Sequence, residues 1–123
     1  MVTADEVRAL AVTLPRTEVH VIHDRVKFRI KAIVYLAFSR DETTMGFGFP
    51  KEERAALVQA EPDKFFLPGQ GDMRYNWVCA RLSALDHDEM EELVIDAWRM
   101  CVPKRVAADF LGIPFVRAPA RRR

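Results

Sequence analysis

The sequence predicts an α+β fold, a single domain in which an antiparallel sheet packs against helices. Two patterns support this: short segments with strand periodicity and short connections follow one another between residues 19 and 49, and amphipathic helical segments lie towards both ends of the chain. The third observation is composition. The 123 residues are 50% hydrophobic with 5 Gly and 7 Pro, which suits one buried core and excludes the disordered and fibrous classes.

The first helix and the longest helix both begin with capping-box spacing. Thr3 is followed three residues later by Glu6, and Asp86 is followed in the same way by Glu89. We expect the first helix to end before Pro15, because a residue that precedes proline is pushed out of helical geometry.

Two further helices are marked by proline at their first turn. One is predicted from Pro50 to about Ala60, and the last runs from Pro103 to about Leu111. Gly112 follows at the position of a C-terminal stop.

The strands are predicted from alternation and from short apolar runs. Arg25–Lys31 alternates charged with apolar residues, whereas 32–39 is apolar on both faces, so a tight turn must fall near Lys31 and Ala32. Three neighbouring strands with short links favour an antiparallel meander. The other predicted strands are 19–22, 43–49 and 74–82, and 65–72 is predicted as a loop.

Segment lengths and cysteine content define the expected class of protein. We expect one domain over residues 1–113 and a basic, flexible tail over 114–123. No apolar run approaches the length of a membrane span, the first residues lack a signal-peptide pattern, and Cys79 and Cys101 read as core thiols. The expectation is a cytoplasmic protein with no membrane association; the oligomeric state stays open.

Charge is unevenly distributed although the formal net charge is only +1. The last seven residues hold four Arg and no acid, and without them 15 basic residues stand against 18 acidic ones. Residues 16–40 carry six basic side chains and two acidic ones, whereas residues 83–100 carry six acidic side chains and one Arg. Any anion-binding surface must therefore be local.

The order of these segments resembles a known family. The matching stretches are the first helix ending at Leu14-Pro15, the strand pair 26–30 and 32–36, the segment 49–53, Asn76-Trp77-Val78, and 97–100 followed by 103–105. Together they resemble the MmcQ/YjbR family of small bacterial α+β domains. The resemblance implies a fold similar to the bacterial frataxin homologue and to a "double wing" DNA-binding domain. Frataxin iron chemistry is not expected, because the first helix offers only Asp5 and Glu6 as acids.

A basic strand face is the main candidate site. Arg25, Lys27, Arg29 and Lys31 recur at about 7 Å along one face of the predicted strand, a spacing that suits the phosphates of an extended nucleic acid. Lys104 and Arg105, in the first turn of the last helix, are added because helix N-termini favour anions. The alternative is a solvated sheet face whose cations guard against edge pairing.

A second candidate site is aromatic. Tyr35, Phe47, Tyr75 and Trp77 are placed on the side of the sheet that bears Gly46 and Gly48, where they would line a pocket or patch for stacking on a ligand. The alternative is that these rings, Trp77 above all, belong to the core.

No catalytic constellation is found. The sequence lacks a phosphate-binding loop, a nucleophile elbow and paired catalytic carboxylates, so no enzyme activity and no cofactor are predicted. His20 and His23 would lie on opposite faces of a strand, which argues against a shared metal.

These observations favour a non-enzymatic domain that binds an anionic partner. The leading hypothesis is DNA or another polyanion held on the basic strand face, with the Arg-rich tail adding unspecific attraction. The alternative is a protein-interaction or small-ligand-binding module that uses the aromatic sheet face.

Overall fold

Six antiparallel strands and four helices make up the computed structural model, which describes residues 1–113. The sheet order is β1-β2-β3-β4-β6-β5. The strands are β1 (Glu18–Ile22), β2 (Arg25–Ile30), β3 (Ile33–Phe38), β4 (Thr44–Gly48), β5 (Phe65–Phe66) and β6 (Trp77–Arg81), and the helices are α1 (Ala4–Ala11), α2 (Arg54–Ala60), α3 (His87–Arg99) and α4 (Lys104–Leu111). The expected α+β class and the expected three-stranded meander, β2-β3-β4, are confirmed, and β1 extends the meander to four strands.

The hairpin turns set which residues stay in the strands. His23 and Asp24 connect β1 to β2 with φ of 52° and 63°, as a two-residue type I′ turn requires. Lys31 and Ala32 connect β2 to β3, and Lys31 has φ of 54°. Lys31 therefore lies in the turn, and the predicted strand 25–31 is one residue too long.

One face of the sheet is packed into the core. Two cross-strand rows lie on this face, and every side chain in them is at most 2% exposed: Phe28, Leu36, Phe47 and Val78 in one, and Phe38, Met45, Ala80 and Phe65 in the other. Helix α3 packs against β3, β4 and α1. The Trp98 indole donates a hydrogen bond to the Pro15 carbonyl at 2.9 Å, which ties α3 to the end of the first helical segment.

A bulge changes the alternation of β3. Phe28 pairs with Leu36 but Arg29 pairs with Val34, so Tyr35 is the extra residue. Tyr35 and Leu36 are both fully buried, and the Tyr35 hydroxyl lies 2.8 Å from Thr17 Oγ1.

The predicted caps are confirmed. Thr3 Oγ1 accepts a hydrogen bond from the Glu6 amide at 3.3 Å, and Asp86 Oδ1 accepts one from the Glu89 amide at 2.8 Å. Gly112 ends α4 in the left-handed region.

Besides the end of β2, further segment predictions were wrong, and α1 ends at Ala11 rather than at Leu14. Helix α2 begins at Arg54 because 51–53 form turns, β6 begins at Trp77, and the predicted loop contains β5, which pairs with β6. The predicted tail, 114–123, lies outside the described residues. No helix within residues 1–113 is long and apolar enough to cross a membrane.

Candidate functional site

The face of the sheet opposite the core carries small residues at its centre. Strand pairing places Lys27, Ala37, Gly46, Cys79 and Phe66 in one row across five strands. Directly paired residues share a face, so this row defines what we call the open face. Ala37 and Gly46 separate a cation on β2 from the sulfur and the aromatic ring on β6 and β5.

A groove of about 900 Å³ lies over the open face. Arg25 and Lys27 line it on the β2 side, and Phe66, Tyr75 and Trp77 line it on the β5–β6 side. Three inter-strand spacings, about 14 Å, separate β2 from β6. The groove therefore has a cationic side and an aromatic side on a floor of small residues.

The Trp77 ring lies against the backbone of β4. A β-carbon added to Gly46 would be 2.5 Å from Trp77 Nε1 and within 2.8 Å of two ring carbons. Any side chain at position 46 would thus displace the ring. Trp77 is partly exposed, so it is not a core residue and its ring is accessible from the groove.

Two more aromatic rings on this side have a guanidinium over them. Arg74 stands 4.8 Å from the Tyr75 ring centroid and donates a hydrogen bond to the Tyr75 hydroxyl at 2.8 Å. Arg81 stands 4.7 Å from the Phe66 ring centroid. Tyr75 is 51% exposed. Planar cations therefore add positive charge to the aromatic side.

Arg54, the first residue of α2, holds the segment that carries these rings. It is only 6% exposed, and its guanidinium donates hydrogen bonds to the carbonyls of Met73, Tyr75 and Trp77, the last two at 2.9 and 3.0 Å. Sequence reasoning missed this residue. The signal was a lone arginine among the apolar residues of a short helix, a pattern too common to single out.

The residues before α2 add further bonds to the same segment. The Lys51 amide donates to Asn76 Oδ1 at 3.0 Å, and Lys51 Nζ donates to the Arg74 carbonyl at 3.2 Å. The Phe49 amide donates to the Asn76 carbonyl at 3.1 Å. The aromatic side of the groove is thereby fixed from two positions along the chain.

The four cations of the predicted basic strand face have different surroundings in the structure. Arg25 and Lys27 line the groove, but Arg29 Nε lies 3.4 Å from Glu18 Oε1, and Lys31 lies in a turn. The prediction of four cations along one strand is therefore wrong at Lys31, whereas Arg29 stays in β2. The acid from β1 partly neutralises the third cation, and the hairpin removes the fourth.

The structure does not bring all the other predicted site residues together at the groove. Tyr35 and Phe47 are fully buried, so neither ring is exposed for stacking on a ligand. Tyr35 still lines the groove, as predicted, whereas Phe47 does not, so its assignment to the aromatic patch is wrong. Phe47 faces the core, in edge-to-face contact with Phe49 and Phe65. Lys104 and Arg105 lie in the first turn of α4 and are not among the residues that line the groove.

Cysteine chemistry is suppressed in the groove. Burial raises the pKa of the Cys79 thiol to about 11, with Asp72 adding to the increase and Arg25 opposing it. Burial also raises the pKa of Cys101. Both residues are half-buried and line the groove. Cys101 also packs against the core, as expected, whereas Cys79 lies on the open face. At neutral pH both remain protonated and weakly nucleophilic.

Within residues 1–113, one group of side chains could approach a metal ion. His87, Asp88 and Glu91 have candidate ligand atoms within 4.8 Å of one another at the exposed start of α3. His20 Nε2 instead lies 3.5 Å from Glu18 Oε1, and His23 lies in the β1–β2 turn. The groove and the His87 cluster are formed by different elements.

Comparisons with known proteins support the fold. The family model described as YjbR matches residues 12–100. The crystal structure of protein DR2400 from Deinococcus radiodurans, with a DUF419 domain, has a TM-score of 0.72 and 18% sequence identity, covering 91% of this chain and 89% of that one. No curated protein sequence matches.

Proposed function

Starting from the fact that this chain belongs to the YjbR family, we propose that it is a non-enzymatic domain that binds single-stranded nucleic acid in the groove of the open face. The observation that carries the proposal is the pairing of exposed aromatic rings with unneutralised cations across one small-residue floor. Proteins that bind single strands combine a positive groove for the phosphates with aromatic side chains for the bases.

The charges of the groove suit an anionic strand. Within residues 1–113, neither Arg25 nor Lys27 forms an ion pair, so both are available to phosphates. Asp72 is the one acidic residue in the groove lining described here, and it lies on the aromatic side with Cys79. Phosphates are therefore assigned to the β2 side.

Base stacking is assigned to Trp77 and Tyr75. The Trp77 ring is supported by the sheet at Gly46, and the backbone on either side of it is held by Arg54. A supported ring loses little conformational entropy when a base stacks on it. Each stacked base contributes about 1–3 kcal/mol. The width of about 14 Å between β2 and β6 separates the cations assigned to phosphates from the rings assigned to bases.

Fluorescence anisotropy with a labelled oligothymidine of about ten nucleotides tests the proposal directly. The full chain should bind at low salt. Trp77→Leu should weaken binding by a factor of about 5 to 150, the equivalent of one lost stack. The double variant Arg25→Gln/Lys27→Gln should weaken binding and lower its salt dependence.

Lys31→Gln is the matched control, because it removes a cation of the same hairpin that lies outside the groove. It should bind like the unsubstituted protein. The proposal is wrong if the unsubstituted protein does not bind at low salt, or if Lys31→Gln weakens binding as much as the double variant does.

Groove size supports a second candidate function, binding of a small anionic aromatic ligand. A volume of about 900 Å³ falls within the range typical of small-molecule sites. A thymidine mononucleotide serves as the probe. Equal affinity for the mononucleotide and the oligothymidine would favour this second function, whereas affinity that rises with length would favour the first.

A further inference from the structure

A second, smaller cavity of about 520 Å³ adjoins the groove. It is lined by Ile22 and His23 of the β1–β2 turn, by Arg25 and Lys27 of β2, and by 39–41 of the β3–β4 turn. We call it the basic pocket. Arg25, Lys27 and Ser39 line both the basic pocket and the groove, so the two are continuous.

Three cations converge on the basic pocket from two elements. Arg25, Lys27 and Arg40 form no ion pair with any residue of 1–113. Unpaired cations around one concave site repel one another and attract an anion. Arg29 differs from these three cations because it forms an ion pair with Glu18.

Asp41 also lines the basic pocket, and its charge is already engaged. Its Oδ1 accepts hydrogen bonds from Ser39 Oγ at 2.8 Å, from Thr43 Oγ1 at 2.8 Å and from the Thr43 amide at 3.2 Å. These bonds, with the Ser39 hydroxyl first, lower the pKa of Asp41 below its ordinary value. The carboxylate therefore orders the turn that carries Arg40, and the Arg, Lys and Asp side chains of the lining sum to a net charge of about +2.

The β3–β4 turn is held in place from outside the pocket as well. Glu42 has φ of 57°, and its Oε2 accepts a hydrogen bond from Arg8 of α1 at 3.2 Å. Arg40 thus lies in a turn that is held by two sets of hydrogen bonds. Asp41 bonds to residues of the same turn, and Glu42 bonds to Arg8 of α1. Such a turn presents its cation at a defined position.

We propose that the basic pocket binds a terminal phosphate monoester, the phosphorylated end of the nucleic acid strand that lies in the groove. The inference rests on the proposed function, because the strand reaches the pocket through the groove. An internal phosphodiester carries one negative charge, whereas a terminal monoester carries about −1.5 to −2 and three acceptor oxygens. Three convergent cations match the monoester better than the diester.

Two oligothymidines that differ only in a 5′-phosphate provide the main test. The full chain should bind the phosphorylated strand about tenfold more tightly at low salt, which is the effect of roughly 1.4 kcal/mol. Arg40→Gln should remove this difference and leave affinity for the unphosphorylated strand unchanged. Arg99→Gln, which removes an exposed arginine of α3 outside both cavities, should keep the difference.

Inorganic phosphate tests the pocket without any strand. In amide NMR spectra of the full chain, phosphate should shift the signals of His23 and of 39–41 and leave that of Trp77 in place. Arg40→Gln should abolish these shifts. The same spectra show whether each variant is folded.

The outcomes separate the two proposals. Binding of both strands with equal affinity overturns the terminal-phosphate inference and leaves the proposed function standing. Binding of neither strand, with phosphate still shifting the pocket signals, overturns the proposed function and with it the assignment to a strand end. No shift of the pocket signals at millimolar phosphate overturns the pocket itself.

Discussion

Gly46 is the residue on which the open face depends most directly. The Trp77 ring occupies the space that a side chain at position 46 would need. Glycine here is a requirement of close approach, since its backbone conformation is an ordinary one that other residues adopt.

We expect Gly46→Ala to lift the Trp77 ring from the sheet and to weaken oligothymidine binding about tenfold, because a displaced ring no longer forms a supported platform. Tryptophan fluorescence should shift to longer wavelength, and anisotropy should report the loss of affinity. Gly48→Ala is the control: its β-carbon would meet Ala97 at 3.6 Å, an ordinary contact. Equal effects of the two substitutions would contradict the role given to Gly46.

The buried hydroxyl of Tyr35 should make the stability of the fold depend on pH in the alkaline range. Burial raises its pKa to about 12, with the hydrogen bond to Thr17 opposing the increase and Cys101 adding to it. The unfolded chain ionises near the ordinary value of 10, so the folded state keeps the proton longer. The stabilisation is fully present below pH 10 and is lost as pH rises from 10 to 12.

Tyr35→Phe should therefore change the alkaline limb of the stability curve. At neutral pH we expect a loss of about 1 kcal/mol, because the bond to Thr17 disappears. Between pH 10 and 12 the variant should lose less stability than the unsubstituted protein. Urea unfolding at neutral pH and between pH 10 and 12 measures the unfolding free energy of both proteins. Equal decreases in that free energy at alkaline pH would show that Tyr35 does not titrate as described.

At the scale of elements, α2 acts as an anchor for the segment between β5 and β6. Its first residue, Arg54, binds three carbonyls, and the residues just before it hold Asn76 and Arg74. This segment has no strand partner until Trp77. The carbonyls of Met73, Arg74 and Tyr75 therefore accept hydrogen bonds from the Arg54 and Lys51 side chains.

Arg54→Met should cost about 3 kcal/mol of unfolding free energy, since it keeps the aliphatic stem and leaves three carbonyls without their donor. Oligothymidine binding should weaken as well, because Tyr75 and Trp77 lose their support. Lys51→Met, which removes one exposed bond to the Arg74 carbonyl, should cost less than about 1 kcal/mol. Urea unfolding and anisotropy measure both effects, and similar losses in the two variants would refute the anchoring role.

The hairpin of β1 and β2 extends beyond the helix layer. Val19 pairs with Phe28, which is fully buried, yet Val19 and Val21 are 46% and 67% exposed. The core therefore includes the Phe28 side of β2 and leaves the paired side of β1 exposed. The basic pocket lies at the turn end of this hairpin.

At the scale of the whole molecule, a net charge of +1 provides no general attraction for polyanions. Under the proposed function, binding arises from local groups, either in the groove or among the four arginines of the last seven residues. Within residues 1–113 the groove has two cations, and the last seven residues have four arginines, so the two sources predict different slopes of log affinity against log salt.

Replacing Arg117, Arg121, Arg122 and Arg123 by Gln isolates the groove. In that background, two groove cations should contribute about −1.4 to the slope of log affinity against log salt on single-stranded DNA. Adding Arg25→Gln/Lys27→Gln should remove this contribution. Anisotropy titrations over a range of salt concentrations measure the slopes. If Arg25→Gln/Lys27→Gln left the slope unchanged, the phosphate contacts would lie elsewhere.

Much of the fold follows from local rules that act within a few residues of sequence. Capping pairs such as Thr3 with Glu6 predicted where helices begin, and Gly112 predicted where α4 ends. The alternation in β2 predicted which side chains share a face. It could not predict where the hairpin turns, so Lys31 was assigned to the strand and the row of four cations was too long.

The site was predictable only in its composition. Sequence alone predicted that Arg25, Lys27 and Trp77 lie on sheet strands, because side-chain direction in a strand follows position along the chain. Tertiary structure alone decided which of them meet. A bulge buries Tyr35, the β4 pairing sets Trp77 over Gly46, and Arg54 reaches carbonyls about twenty residues away. These contacts depend on packing between distant segments, which no local pattern encodes.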